Sequence, residues 1–395
     1  MVGIERNIKI GYILSLVIEL YFPIAVWFFF YSRYLSVQQI AVLTGFQIII
    51  WNLFEVPTGA FADLVGRKVS IILAFGIYTL AMMATAFTTV FGIFLVIEFF
   101  KGISNALNSG SLEALLYDTL KEKKLEHRWD KVVANNETLV WVGLFVAAVS
   151  GGFLYYWWYP LPYLLQGLVY LGAMLISFWL IEPKLDTKKY QVKEALQQNL
   201  AGFKELFRNE RMTYLTLVLG LIGAGYMIAA SILGISQAEE YGLDARGVGL
   251  LFGTGYILSA LASQGFPKLK RVWGSKKLVI LTGIVLLSSF LLANFVGVVV
   301  GSMLIIMRIA SSTTFRNVRS GLINRAVTSK NRATTLSSMQ LLTQLPYALL
   351  AYFIGGYIDR HSPNQFALLL GVVIVGLLGA TQLFSRRMKA VLAIN

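Results

Sequence analysis

Cysteine is absent from this sequence of 395 residues, and histidine occurs at only 2 positions. Without cysteine the chain has no disulfide, no thiolate ligand and no thiol nucleophile. The span pattern described below places His127 and His361 in loops on opposite sides of a membrane, so they cannot share a metal ion. No G-x-x-x-x-G-K-[ST] phosphate loop is present either, so ATP hydrolysis is not expected. The sequence predicts no metal, no cofactor and no enzymatic activity.

Charge is also scarce. Charged residues make up 14% of the chain, hydrophobic residues make up 57%, and the mean hydropathy is +0.68. Soluble domains carry about 25% charged residues, so this balance excludes an ordinary globular protein. Apolar runs of about 20 residues recur along the chain, which is the length a helix needs to cross a bilayer. These features predict an all-α polytopic membrane protein that spans the lipid bilayer many times.

The apolar runs predict 12 spans, separated by short connections and by one long polar segment. Their approximate bounds are 10–32, 37–62, 68–89, 92–118, 131–154, 160–182, 211–236, 244–266, 276–295, 297–321, 332–357 and 364–386. The predicted domains are a six-helix bundle at 1–182, a central loop with an amphipathic helix at 183–210, and a second six-helix bundle at 211–395. The first run has no small-residue cleavage site after it, which favours a retained helix over a signal peptide.

The basic residues predict the orientation of the chain. Of the 34 Lys and Arg residues, 28 fall in the terminal segments and loops on one side, and only Arg33, Arg246 and Arg360 fall on the other. The rule that positive loops stay inside places both termini and the central loop in the cytoplasm. The net charge of +14 is spread between the apolar runs, so no nucleic-acid partner is expected.

The most specific motif lies at Gly59–Lys68, where the sequence follows the spacing G-x-x-x-D-x-x-G-R-K. This motif resembles the loop between helices two and three of major facilitator superfamily (MFS) transporters, and the span pattern resembles that family over nearly the full length. The resemblance implies the MFS fold of two six-helix pseudo-repeats and transport by alternating access. The residues it implies for conformational gating are Asp63, Gly66, Arg67, Lys68 and Asp118. The alternative is that these residues only cap helices and fix the topology.

A weak internal repeat accompanies the resemblance. Gly66 has a counterpart at Gly274, where Arg271 stands in the position of the acid, so the second copy of the motif is degenerate. Two motifs typical of drug/proton antiporters in the family are incomplete here, because span five keeps Gly151-Gly152 without the preceding Gly-Pro and span four has Glu98 in place of an arginine. These departures weaken the efflux assignment but not the assignment to the superfamily.

Ionisable residues inside the spans are candidates for proton coupling, because each costs about 2.5–3.5 kcal/mol to insert. The candidates are Glu19, Glu98, Glu113 and Glu55. Lys101 lies one helical turn after Glu98, which favours a paired charge there, so Glu19 is the preferred proton site. The alternative is that all of these charges form structural ion pairs.

Helical spacing also predicts residues that line a substrate cavity. Span four carries a polar stripe that runs from Glu98 to Glu113, and span ten carries a basic stripe. In the family these spans line the central cavity, so the resemblance implies that the two stripes face each other, with Arg308 either binding an anionic substrate group or neutralising Glu98. The cavity candidates are Lys101, Asn105, Trp141, Tyr226, Arg308, Arg316, Gln344 and Tyr347.

The function expected from these features is secondary active transport. The leading hypothesis is proton-coupled export of a lipophilic or cationic small molecule by a monomer in the inner (plasma) membrane. The alternatives are a proton-coupled symporter that imports a small polar or anionic solute, which the basic stripe of span ten would suit, and a lipid flippase or signalling receptor.

Overall fold

The computed structural model describes residues 2–183, 192–327 and 332–392, and nearly all of these residues are helical. Ten of the described helical segments are long and apolar enough to cross a membrane, and Leu161–Ser177 is a shorter apolar helix. The helices are α1 (Val2–Glu19), α2 (Trp27–Ser32), α3 (Val37–Val65), α4 (Arg67–Phe87), α5 (Phe91–Asn108), α6 (Ser111–Glu122), α7 (Trp129–Trp157), α8 (Leu161–Ser177), α9 (Val192–Leu206), α10 (Glu210–Ile228), α11 (Gly234–Glu240), α12 (Ala245–Leu291), α13 (Val298–Ala326), α14 (Arg332–Arg360) and α15 (Pro363–Leu392).

The chain forms two compact units. Unit 1 comprises residues 1–195 together with 244–254, and unit 2 comprises 196–243 together with 255–395. The helix α9 lies within the polar segment between the two predicted bundles. The domain boundaries at 182 and 210 stay a prediction.

In unit 1, α3 packs along α5, and α4 packs against both α5 and α8. Apolar side chains from α1, α4, α6 and α8 form its core, with Leu14, Ile71, Leu115 and Leu116 fully buried. Each fully buried leucine or isoleucine contributes roughly 1.5–3 kcal/mol relative to water in a soluble protein, and here the core fixes the ends of these helices against one another. In unit 2, α10 packs against α14 and α15.

The first long helix of each unit is interrupted at the same point of the repeat. In unit 1 the chain leaves helical geometry after Glu19 and continues through a short 3₁₀ turn at Phe22–Ala25. In unit 2 a π-helical turn occupies Ala229–Leu233, which begins 207 positions after Phe22. At such interruptions, backbone N–H and C=O groups are released from the regular hydrogen-bond pattern of the helix, and interruptions of this kind are frequent at functional sites.

One predicted span is divided in the structure, and two others meet at a kink. Span four is two helices, because Gly110 adopts a left-handed conformation (φ 71°) that ends the run between α5 and α6. Spans eight and nine remain two helices within the range of α12, and they meet at a kink at Gly274, which has non-helical geometry (φ 72°). The count of 12 spans and the cytoplasmic location of the termini stay predictions.

Candidate functional site

The G-x-x-x-D-x-x-G-R-K motif is not a loop of several residues. Its first part forms the last turns of α3, and α4 begins at Arg67, so Gly66 alone separates the two helices. Gly66 has a φ of 112°, a conformation that side-chain-bearing residues rarely adopt, which explains why glycine is needed there. The predicted correspondence between Gly66 and Gly274 is confirmed, because both residues have positive φ and both interrupt a helix.

Arg67 forms an ion pair with Asp118 of α6, and both side chains are largely buried. Both residues belong to the set that the family resemblance implies for gating, and their gating role stays a prediction. Asp63 is half-buried one turn before Arg67 and lies close enough to interact electrostatically with both Arg67 and Asp118. Asp118 thus contacts the guanidinium while the second carboxylate, Asp63, lies within its electrostatic field, so a small displacement of α3, α4 and α6 can exchange one partner for the other.

Sequence reasoning missed Glu182, which completes this cluster. Its carboxylate accepts hydrogen bonds from the backbone N–H of Arg67 at 2.9 Å and from that of Lys68 at 2.7 Å. These are the first N–H groups of α4, which have no partner within the helix, and a carboxylate is favoured at a helix N-terminus. Lys68 donates from Nζ to the carbonyl of Phe178 at 2.7 Å. The only signal in the sequence was an acid directly after the apolar run of span six.

Asn7 fixes the same end of unit 1 from the first helix. Its side chain donates to the hydroxyl of Thr119 at 3.0 Å and to the carbonyl of Ile181 at 2.8 Å, and it accepts from the N–H of Ile181 at 2.9 Å. Thr119 follows Asp118, and Ile181 precedes Glu182. One buried amide thus fixes the neighbours of the two acids that contact Arg67, namely Asp118 and Glu182. We name the following residues the helix-end cluster: Asn7, Arg67, Asp118, Thr119, Ile181 and Glu182.

Glu98 and Lys101 form a buried ion pair inside unit 1. Nζ of Lys101 lies 2.8 Å from Oε1 of Glu98, and the side chains are only 5% and 2% exposed. The phenol of Tyr31 donates to the same carboxylate oxygen at 2.8 Å, and Lys101 also donates to the Tyr31 oxygen at 3.2 Å. The interpretation of Glu98 as a paired charge is confirmed.

The surroundings of this pair are aromatic. The Tyr31 ring packs edge-on against Phe94 at 5.0 Å, and Phe30 packs against Tyr163 at 4.3 Å. Such walls exclude water, so removal of either charge would leave the other unpaired at a cost of roughly 3–5 kcal/mol. The placement favours a structural ion pair that anchors α2 to α5, and the role of Lys101 in lining a cavity stays a prediction.

Glu19, the preferred proton site, lies at the last residue of α1, directly before the interruption. Glu19 is half-buried and packs closely against Gly143 of α7. A Cβ atom added at position 143 would lie only 3.0 Å from the Glu19 Cβ, which explains why this position suits glycine. The neighbouring hydroxyl of Tyr170 donates to the carbonyl of Ile18 at 3.4 Å. Gln166 accepts from the N–H of Phe22 at 2.9 Å, which satisfies one backbone group released by the break. Glu19 thus occupies a polar interruption within an apolar helix, where ionisable groups are generally functional.

The remaining acidic candidates lie at exposed positions. Glu55 of α3 accepts from the hydroxyl of Ser109 at 3.4 Å, and Glu113 lies in the first turn of α6. The break at Gly110 separates Glu113 from the face that carries Asn105, which is half-buried in α5. The stripe predicted along span four is therefore divided between two helices and between buried and exposed surroundings.

In unit 2, Arg308 of α13 is almost completely buried, with 3% exposure. Its Nη1 donates to Oε1 of Gln237 at 2.9 Å and, more weakly, to the hydroxyl of Ser289 at 3.4 Å. Both partners belong to unit 2 and both are neutral. Glu98 has its own partner, Lys101, inside unit 1, and the alternative that Arg308 neutralises Glu98 stays a prediction.

The other cavity candidates occupy varied surroundings. Tyr226 is buried and bonds to the carbonyl of Thr282 and the hydroxyl of Ser311, each at 2.7 Å. Tyr347 is fully buried and Gln344 is nearly so, which favours packing roles for these side chains. Arg316 is exposed, and Trp141 of unit 1 is half-buried. The described residues contain no cluster of 3 or more potential metal ligands.

These sites share one property: ionisable and amide side chains lie within or at the ends of long apolar helices. In membrane proteins such residues mark the pathways of ions and substrates, and helix-end ion pairs supply interfaces with two arrangements. The class of protein that they define is a polytopic helical transporter of small molecules.

Comparison with known proteins gives the family. The family model described as the Major Facilitator Superfamily matches residues 10–329, and the chain belongs to this superfamily. The uncharacterized MFS-type transporter YxaM of Bacillus subtilis (strain 168) is 25% identical over 229 residues, which cover 55% of this chain and 54% of that protein. The match thus spans about half of this curated relative's length.

Solved structures share the fold at low identity. The nucleoside transporter NupG has a TM-score of 0.79 at 12% identity, covering 97% of this chain and 98% of that one. A POT family transporter in complex with 5-aminolevulinic acid has a TM-score of 0.74 at 10% identity, covering 97% of this chain and 96% of that one. The MFS fold expected from the sequence is confirmed, and the chain is a multi-pass membrane transporter of the MFS kind.

Proposed function

We propose that this protein is a secondary active transporter that works by alternating access and couples proton movement to the export of a lipophilic or cationic small molecule. In this proposal it acts as a monomer in the inner (plasma) membrane, with both termini and the helix-end cluster on the cytoplasmic side. The observation that carries the proposal is the arrangement of Asp63, Arg67 and Asp118, in which Asp118 is paired with the guanidinium of Arg67 and Asp63 interacts with both charges electrostatically.

The gate follows from the energetics of that arrangement. A hydrogen bond to a charged group contributes roughly 1.5–3 kcal/mol, which is enough to bias two conformations by about tenfold or more without locking either one. Gly66 allows α3 and α4 to pivot about one residue, and Glu182 and Lys68 keep the start of α4 intact during that movement. The gating residues are therefore Asp63, Gly66, Arg67, Lys68 and Asp118, as the resemblance implied.

Proton coupling is assigned to Glu19. A half-buried carboxylate at a helix interruption can bind a proton when the surroundings exclude water and release it when they admit water. Glu98 is unsuited to this role because it is buried in an ion pair with Lys101 inside unit 1. Glu55 and Glu113 are exposed, so a change of conformation would alter their hydration less.

A second candidate function is the proton-coupled import of a small polar or anionic solute. The observation that favours it is Arg308, a buried guanidinium whose hydrogen-bond partners in the described part of unit 2 are neutral. A cation of this kind suits a solute that carries a carboxylate.

Vesicle orientation separates the two functions. Everted membrane vesicles that contain the protein are energised to acidify their lumen, and uptake of a fluorescent cationic dye is followed. Export predicts dye accumulation that collapses on addition of a protonophore and is absent from vesicles without the protein. Failure to accumulate any of several cationic dyes, with proton-driven uptake of an organic acid in right-side-out vesicles, would favour the second function.

A further inference from the structure

Lys101 and Arg308 occupy equivalent positions in the two halves of the chain. Each is the eleventh residue of its helix, since α5 begins at Phe91 and α13 begins at Val298. The offset of 207 residues is the same as that between the helix interruptions at Phe22 and Ala229. Each cation donates to a residue that follows the helix interruption of its unit, Tyr31 or Gln237.

The two positions differ in their counter-charge. In unit 1 the carboxylate of Glu98, one turn before Lys101, neutralises the ammonium group at 2.8 Å. The equivalent residue one turn before Arg308 is Ile305, which is 2% exposed. Unit 2 therefore has a buried cation at the position equivalent to Lys101, but an alkyl side chain at the position equivalent to Glu98.

The remaining contacts of Arg308 do not replace that acid. Its guanidinium lies over the ring of Phe290, 5.4 Å from the centroid, and its Nη2 atom is buried without a hydrogen-bond partner among the described residues. No carboxylate of the described chain lies within ion-pair distance of Arg308. A buried charge that is left unpaired costs several kcal/mol, so a stable fold requires compensation from elsewhere.

Two acidic side chains near Arg308, Glu240 and Tyr241, do not supply its counter-ion. Glu240 accepts from the backbone N–H of Asn364 at 2.7 Å, and Asn364 Oδ1 accepts from Gln237 Nε2 at 3.1 Å, so two amides stand between Glu240 and the guanidinium. The Tyr241 phenol donates to the carbonyl of Ala293 at 2.9 Å, and burial raises its pKa to about 12. At neutral pH this phenol is uncharged and supplies no counter-ion.

We propose that unit 2 binds a small singly charged anion at Arg308, held by the free Nη2 donor of the guanidinium. The anion takes the place that the Glu98 carboxylate has in unit 1. Two sources fit this chemistry, a free inorganic anion such as chloride and the carboxylate of a small solute.

Thermal unfolding of the purified full-length protein in detergent tests the site without any transport assay. In isethionate, a bulky reference anion, the unfolding temperature is followed by tryptophan fluorescence while chloride, or separately acetate, is added at constant ionic strength. A saturable rise on the order of 3 °C is expected for the wild type. Loss of that rise in Arg308→Gln assigns it to this guanidinium, and the arm that produces it, chloride or acetate, identifies the source of the anion.

Two further variants make the outcome decisive. Arg316→Gln removes an exposed arginine from the same helix and should leave the rise intact. Ile305→Glu places a carboxylate one turn before Arg308, as in unit 1. In isethionate this variant should unfold at the temperature that the wild type reaches with saturating anion, and added chloride or acetate should not raise that temperature further. An equal response of wild type, Arg308→Gln and Ile305→Glu, or no response of the wild type to either anion, would overturn the proposal. Failure of dye transport would leave this result unaffected, because the readout is unfolding.

Discussion

Arg67, the first residue of α4, pairs with Asp118 of α6 across 51 positions of sequence. Asp63, at the end of α3, lies close enough to act on both charges. The guanidinium thus joins α4 to α6 through one charge-assisted contact, and the second carboxylate, on α3, lies within its electrostatic field. We expect this contact to regulate movement and not the choice of solute.

Asp118→Asn and Asp63→Asn test that role. Each change leaves the shape of the side chain and removes one negative charge, so the balance between the two conformations shifts. We expect the maximal rate of proton-driven dye uptake to fall by about tenfold, equivalent to about 1.4 kcal/mol, while dye binding changes little. Glu113→Gln, which removes an exposed acid from the same helix as Asp118, serves as the control. Normal maximal rates in both asparagine variants would remove the gating role.

Glu182 contributes stability through the start of α4. Glu182→Ala leaves the N–H groups of Arg67 and Lys68 without their side-chain acceptor, so we expect a loss of about 1 kcal/mol and a lower unfolding temperature. Glu182→Gln keeps an acceptor and should lose less. Glu137→Gln, at an exposed position of α7, is the matched control. Equal unfolding temperatures for Glu182→Ala and the control would show that the cap is dispensable.

The buried pair of unit 1 is best tested by a double-mutant cycle. Lys101→Met alone leaves the Glu98 carboxylate buried with only a phenol as partner, and we expect it to destabilise by roughly 3–5 kcal/mol. The combination of Glu98→Gln with Lys101→Met removes both charges and should recover much of that loss. Measurement of the unfolding temperature of the four proteins gives the coupling. Additive effects of the two single changes would mean that the charges do not stabilise each other.

Glu19→Gln tests proton coupling. The amide cannot exchange a proton, so gradient-driven uptake should be abolished while exchange of dye between the two sides at equal proton concentration continues. The control is Glu55→Gln, which changes an exposed acid of α3 and should retain driven uptake. Driven uptake that survives in Glu19→Gln would assign the coupling to another group.

The sequence was sufficient for the helices, the superfamily and two of the charge pairs. Long apolar runs and the motif at Gly59–Lys68 depend on local spacing, which is why they could be read without a structure. The pairing of Glu98 with Lys101 followed from adjacency on one helix face. The Arg67–Asp118 pair came from the family resemblance, because its members are distant in sequence.

The parts that the sequence did not reveal depend on tertiary contacts. Glu182 and Asn7 meet α4 and α6 only because the helices of unit 1 pack together, and neither forms a motif. The burial of Tyr226 and Tyr347 depends on which face of a uniformly apolar helix turns inward, and composition does not specify that face. The division of span four at Gly110 turned a single predicted stripe into two separate surfaces.

Alternating access itself is tested most directly by distances between spin labels, and the absence of cysteine allows labelled pairs to be introduced without background. One pair, Lys121→Cys with Lys276→Cys, reports on the side predicted to be cytoplasmic, and a second, Ser32→Cys with Gln365→Cys, reports on the opposite side. Each pair joins an exposed position of unit 1 to one of unit 2. We expect two distance populations in each pair, and Asp63→Asn should shift the two sides in opposite directions. A single distance in each pair, unchanged by Asp63→Asn, would contradict transport by alternating access under control of this gate.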